Sequence, residues 1–83
     1  NPVIENNTTF RFFIDNILTT EIKIKIFNAA GYLIKDDLVN NDLTYNEYNE
    51  INWNNISVNS GLYLAEVKPN IGKSELVRIL VIE

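Results

Sequence analysis

The strongest constraint on the fold is a strict alternation of apolar and polar residues that recurs along the chain. In segment 21–27, EIKIKIF, the three residues Ile22, Ile24 and Ile26 alternate with charged residues. Segment 8–14 alternates in the same way. A period of two places one set of side chains in a core and the other in water, which is typical of a half-buried β-strand.

Further short apolar segments, separated by turn residues, continue the pattern. Segment 48–53 alternates and ends in Trp53, which is predicted to lie in the core because large aromatic side chains carry much buried area. Segments 61–68 and 74–82 flank a turn that contains proline and glycine, so a hairpin is predicted between them. About six to seven short strands without helical spacing predict an all-β, antiparallel β-sandwich that forms one domain over residues 1–83.

The middle of the chain is predicted to be less regular. The segment NAAG at 28–31 is a turn, and residues 32–35 form a short strand that completes a hairpin. Residues 36–46 are predicted to form a polar loop. This loop contains three apolar residues that are expected to pack against the domain: Leu38, Val39 and Leu43.

Composition excludes several classes of function. The net charge is −4, which disfavours nucleic acid and anionic membrane surfaces as partners. The longest apolar run, 79–82, is too short to span a bilayer, so no membrane insertion is expected. The chain has no cysteine and no histidine, which excludes disulfides and the catalytic dyads that need either residue. No catalytic residue and no cofactor is therefore predicted.

Asparagine is unusually frequent, with 14 of 83 residues. Asparagine side chains bond nearby backbone groups in turns, and asparagine tolerates positive φ better than most residues. The preferred interpretation combines a compositional bias with many turns.

The acidic segment contains candidate ligands for a metal ion. Asp36, Asp37 and Asp42 offer oxygen ligands of the kind that calcium prefers. Their spacing does not match an EF-hand loop, which needs a central glycine and a terminal glutamate. The default interpretation is a solvated acidic loop without metal.

Two other groups of residues suggest binding or assembly. Tyr45 and Tyr48 flank the polar loop and are candidates for ligand binding, in particular for a carbohydrate. Exposed strand edges recruit further strands unless charges protect them, and Glu21, Lys23 and Lys25 are candidates for such protection.

Five motifs follow one another in register: Asn1-Pro2, Thr8–Phe12, Ile26–Gly31, Ile51–Asn54 and Ser60–Tyr63. An apolar strand with one basic residue, Arg78, comes after them. Together they resemble the C-terminal Ig-like modules of the type IX secretion sorting-domain superfamily and the related Ig-like domain of flagellar hook-capping proteins. The signature residues are Asn1, Pro2, Gly31, Trp53, Gly61 and Tyr63. Phe13 departs from the family pattern, because a polar residue is usual there.

The resemblance implies an Ig-like β-sandwich that is the C-terminal module of a larger exported bacterial protein. Its implied role is a folded sorting signal, and its implied partners are the outer-membrane secretion machinery or neighbouring protein domains. The protein would cross the periplasm and reach the cell surface or the medium. The alternative is a structural or adhesive module in a surface protein, for which carbohydrate is a candidate ligand.

Segment 60–67, SGLYLAEV, yields the most specific expectations. In strand phase Tyr63 points inward, so we expect a buried ring whose hydroxyl bonds a backbone group. Gly61 is expected to adopt positive φ or to make room for that ring. Leu62 and Leu64 point outward beside charged residues and, with Arg78, are the candidates for binding a partner.

Overall fold

In a computed structural model, residues 2–3, 7–54 and 56–82 are described, and they form seven β-strands. Among these residues no helix is present that could cross a membrane. The strands are β1 (Pro2–Val3), β2 (Thr8–Phe13), β3 (Ile22–Asn28), β4 (Leu33–Asn40), β5 (Tyr48–Trp53), β6 (Gly61–Pro69) and β7 (Glu75–Val81).

The strands form two sheets, which confirms the predicted all-β sandwich. The larger sheet has the order β1-β7-β6-β3-β4, and the smaller sheet pairs β2 with β5. The hairpins β3–β4 and β6–β7 are both antiparallel, as predicted. The one parallel pairing among the described strands is at an edge, where β1 runs parallel to β7. A two-residue edge strand satisfies its neighbour's backbone groups in either direction.

The core fills the space between the two sheets. The three isoleucines of β3 are buried, as their alternation predicts, and Trp53 is only 4% exposed. Ile56, in the connection after β5, is buried and belongs to the same core. The buried apolar residues are Phe10, Ile14, Ile22, Ile24, Ile26, Ile51, Trp53, Ile56, Tyr63, Ala65, Ile79 and Val81.

The predicted loop 36–46 is wrong over its first half, because β4 continues to Asn40. The strand has two register shifts against β3 and mostly exposed side chains, so its polar sequence lacks the regular alternation of a half-buried strand. Leu38 and Leu43 pack against the core as expected. Val39 does not: it pairs with Lys23 on the solvent side and is 49% exposed.

Strand β4 forms one edge of the larger sheet, and β3 is an interior strand. Strand β3 is hydrogen-bonded to β6 on one side and to β4 on the other, so Lys23 and Lys25 do not protect an edge. At β4 the two register shifts and the ion pair between Lys35 and Asp37 interrupt a regular, apolar edge.

Asparagine side chains organise the turns, which confirms this part of the compositional interpretation. In the predicted 28–31 turn, Asn28 Oδ1 accepts hydrogen bonds from the backbone N–H groups of Ala30 and Tyr32. Gly31 has φ 88°, a conformation that glycine adopts without strain. Four other asparagines bond backbone groups in loops or at strand ends: Asn16, Asn40, Asn49 and Asn70.

The expectation for Tyr63 is confirmed. Its ring is buried, with 8% exposure, and its hydroxyl donates a 2.7 Å hydrogen bond to the carbonyl oxygen of Asn59. Gly61 has φ 151°, and a Cβ added there would meet nothing within 4 Å. The glycine therefore serves the backbone conformation and does not make room for the ring.

Candidate partner-binding surface

One end of the solvent-facing side of the larger sheet carries a group of apolar side chains, which we call the apolar patch. Neighbouring strands place Leu33, Phe27 and Leu64 in one cross-strand row, and Leu62 pairs with Leu80 in the next. Leu33, Leu62 and Leu80 are each 45–49% exposed, whereas Phe27 and Leu64 are half-buried. Strand pairing thus joins five apolar side chains that lie far apart in the sequence.

The structure brings the three predicted partner-binding residues together. Leu62 and Leu64 lie on the same side of β6, and Arg78 of β7 is directly opposite Leu64. Their role in binding stays a prediction. The sequence interpretation missed Phe27, Leu33 and Leu80. The exposed position of Phe27 could have been predicted, because Phe27 follows Lys23 and Lys25 at the alternate positions that face solvent.

The other end of the same side is charged. Lys23 of β3 is directly opposite Lys68 of β6, and Lys25 is directly opposite Glu66. With Glu21, these residues line a groove of about 400 Å³ that we call the charged groove. The solvent-facing side of the sheet therefore carries the apolar patch at one end and a group of charges at the other, where exposed Val39 and Leu76 pair with Lys23 and Glu66.

The solvent-facing side of the smaller sheet carries a compact cross-strand group. Arg11 Nε lies 3.3 Å from Glu50 Oε2, and its guanidinium carbon lies 4.9 Å from the centre of the Tyr48 ring. Phe13 packs edge-on against Tyr48, with ring centres 5.2 Å apart. The apolar departure at Phe13 is thus explained by contact with Tyr48. Tyr45 lies exposed in the turn before β5.

The acidic residues do not converge on a metal site. Asp37 Oδ1 lies 2.9 Å from Lys35 Nζ, and the hydrogen bond from this ammonium lowers the pKa of the Asp37 carboxyl. Asp36, its neighbour on β4, is also exposed, and it lies where a register shift against β3 interrupts the regular alternation of side chains. Within the described ranges 2–3, 7–54 and 56–82, no group of three or more acidic residues could hold a metal ion.

The signature residues occupy structural positions where they are described. Trp53 and Tyr63 belong to the core, and Gly31 and Gly61 adopt positive φ at strand boundaries. Pro2 belongs to β1, whereas Asn1 lies outside the described residues.

The fold and its surfaces define a small all-β sandwich module with a polarised outer side. The chain belongs to the family of secretion system C-terminal sorting domains, whose sequence profile matches residues 1–83. This is the C-terminal signal of type IX secretion, so the protein is exported to the cell surface or the medium and interacts with the secretion machinery. The family is not known as catalytic. Comparison with curated proteins and with solved structures found no match.

Proposed function

We propose that residues 1–83 are a non-catalytic, Ig-like C-terminal module of a larger exported bacterial protein. The module acts as a folded sorting signal that the type IX machinery recognises through the apolar patch. Recognition then depends on a surface that exists only after β3, β4, β6 and β7 have paired. A linear peptide with the same residues would not present it.

The single observation that supports this proposal is the exposure of the apolar patch on a sheet whose other side already covers the core. Half-exposed Leu33, Leu62 and Leu80 lie side by side with Phe27 and Leu64, and contiguous exposed apolar surface marks interaction sites. Arg78 borders the patch beside Leu64, and arginine is enriched among interface residues.

The composition supports a non-catalytic role. The chain has neither histidine nor cysteine. It therefore lacks a frequent catalytic base and a frequent catalytic nucleophile.

The test is export of a reporter protein that carries its own signal peptide and is followed by residues 1–83, in a type IX-competent cell. We expect the wild-type fusion to reach the medium or cell surface. The double variant Leu62→Thr/Leu80→Thr keeps β-propensity but removes two directly paired leucines of the patch, which are 45% and 49% exposed. We expect its export to fall by about tenfold, because two lost leucine contacts weaken binding by on the order of 1–2 kcal/mol.

The matched control is Ile17→Thr, which replaces an apolar residue that is 70% exposed in the turn between β2 and β3. Circular dichroism must show that all variants fold. Retention of the wild-type fusion in the periplasm would contradict the sorting role. Equal export of the double variant and Ile17→Thr would contradict recognition through the patch.

The alternative proposal is an adhesive module that binds carbohydrate weakly through Tyr45 and Tyr48. The 51% exposure of Tyr45 favours it, since a free aromatic face can stack on a sugar ring. Tyr48 is less suited, because the Arg11 guanidinium covers one face of its ring. Glycan-array binding that Tyr45→Ala abolishes would support adhesion, and absence of binding by the wild-type chain would contradict it.

A further inference from the structure

We propose that the charged groove binds an acidic, extended segment of a protein partner and thereby orients that partner on the apolar patch. This inference rests on the proposed function, because the groove and the patch share one side of the larger sheet. The partner is identified by its chemistry: carboxylates on alternate residues of an extended segment.

The first observation is an unfavourable pair of like charges. Lys23 and Lys68 occupy directly opposite positions on neighbouring strands, where like charges destabilise a sheet. Glu21 lies 3.4 Å from Lys23 and compensates one of the two lysines. Within the described ranges, Lys68 and Lys25 form no ion pair. The groove therefore holds two ammonium groups that are available to an external carboxylate.

The second observation is that the groove is built by specific contacts. Asn70 Oδ1 accepts hydrogen bonds from the backbone N–H groups of Thr20 and Glu21, at 2.9 and 3.3 Å. Its Nδ2 donates to the carbonyl oxygen of Leu18 at 3.2 Å. The backbone N–H of Asn70 donates to the carbonyl oxygen of Glu21 at 3.0 Å. These bonds fix the segment before β3 against the end of β6, and so fix the position of Glu21 relative to Lys68.

The third observation concerns the geometry and sign of the charges. Lys23 and Lys25 lie on the same side of β3 two residues apart, about 6.6 Å along the strand. Alternate residues of an extended peptide have the same spacing, so two carboxylates can meet both lysines at once. Glu21 and Glu66 also line the groove, which leaves one net positive charge from three lysines and two glutamates. Two built-in carboxylates repel a dense polyanion, so a protein segment fits better than a nucleic acid or lipid surface.

The contrast with the rest of the molecule supports this assignment. The whole chain carries a net charge of −4, yet three of its seven basic residues line this one groove. A local positive region on an acidic protein steers acidic partners to a defined position.

The experiment is an NMR titration of the chain with a short synthetic peptide in which glutamate alternates with threonine. We expect backbone amide shifts at Lys23, Lys25 and Lys68, and weaker binding as salt increases. In Lys68→Glu we expect affinity to fall by about fivefold or more, because the change places a carboxylate where the peptide binds. This variant also removes the like-charge pair, so urea unfolding should show no loss of stability.

The matched control is Lys73→Glu, the same charge change at an exposed lysine in the β6–β7 turn, which should keep wild-type affinity. A peptide with glutamine in place of glutamate should not bind. Shifts that are spread over the surface, or equal loss of affinity in both variants, would overturn the proposal. Inorganic phosphate that produces the same shifts at equal concentration would also overturn it, because the lysines would then form a general anion site.

The experiments distinguish a groove that does not bind an acidic peptide from a domain that does not act as a sorting signal. The titration uses the purified chain and does not depend on export. In the reporter assay, export of Lys68→Glu at the wild-type level, while Leu62→Thr/Leu80→Thr is retained, would leave the patch as the recognition surface and contradict a role for the groove. Retention of both variants, with normal export of Lys73→Glu, supports the joint surface.

Discussion

Tyr63 shows how a single polar atom is accommodated in the core. Its hydroxyl donates to the Asn59 carbonyl oxygen over 2.7 Å, while its ring is buried beside Ile79 of the neighbouring strand. In Tyr63→Phe the ring packing stays but the carbonyl loses its partner. We expect the free energy of unfolding to fall by about 1 kcal/mol, measured by urea denaturation.

The control for this prediction is Tyr32→Phe, which removes a hydroxyl from a side chain that is 71% exposed. Its unfolding free energy should stay within about 0.5 kcal/mol of the wild type, as is usual for surface substitutions. Equal effects of the two substitutions would show that the Asn59 hydrogen bond contributes nothing specific.

Asp37 and Lys35 supply a second prediction at the level of single residues. The ammonium of Lys35 donates a hydrogen bond to the Asp37 carboxylate and lowers its pKa below 3.8. A pKa that is lower in the folded state stabilises the fold above the unfolded value, and this contribution is lost as the pH falls through the folded value. Because the carboxyl is exposed, the effect on stability is small and the titration itself is the better measurement.

We expect the Asp37 carboxyl carbon, followed by NMR, to titrate below pH 3.8 in the wild type and closer to 3.8 in Lys35→Ala. An Asp37 midpoint that Lys35→Ala leaves unchanged would contradict the attribution to the ion pair.

At the level of elements, the strands with a clear alternation could be predicted from sequence and β4 could not. Residues 22–26 alternate strictly, because each side of this part of β3 has a constant environment. In β4 the edge position and two register shifts remove that constancy, so Asp36 and Asp37 look like loop residues although they lie in a strand. An alternating sequence indicates that the two sides of a strand face different surroundings, one the core and one the solvent. An irregular edge strand lacks this regular difference, so its sequence does not alternate.

The connection between β4 and β5 depends on Asn49, which is 8% exposed. Its Oδ1 accepts from the Thr44 N–H at 2.8 Å, and its Nδ2 donates to the carbonyl oxygens of Thr44 and Glu47 at 2.9 and 3.0 Å. In Asn49→Asp the two carbonyls lose their donor and face a carboxylate. We expect a loss of about 2 kcal/mol in unfolding free energy at neutral pH.

Asn54→Asp is the matched control, because it makes the same chemical change at an exposed position just after β5. It should change the unfolding free energy by less than about 0.5 kcal/mol. The Asn49→Asp loss should diminish at low pH, where the new carboxyl is protonated and can donate one hydrogen bond. A loss that is independent of pH would show that charge is not its cause.

At the level of the whole molecule, the candidate site depends on register, and register was not available from sequence. The phase of Leu62 and Leu64 relative to Tyr63 predicts, from one strand alone, that both leucine side chains face solvent. The joining of Leu80, Phe27 and Leu33 to them depends on how four strands pair. The charged groove depends equally on the pairing of Lys23 with Lys68, which no local pattern specifies.

The two sheets share one core, so we expect the domain to unfold in a single transition. Trp53 of β5 reports the smaller sheet by fluorescence, and far-UV circular dichroism is dominated by the larger one. The two urea transitions should coincide. Ile26→Val, at a fully buried position of β3, should lower the free energy of unfolding from both transitions equally, by about 1 kcal/mol, whereas Ile17→Val at a 70% exposed position should change neither.

A fluorescence transition at lower urea than the circular dichroism transition would show that the smaller sheet detaches first. The outer side of the larger sheet could then bind a partner without it, whereas coincident transitions mean that the binding surface exists only in the complete domain.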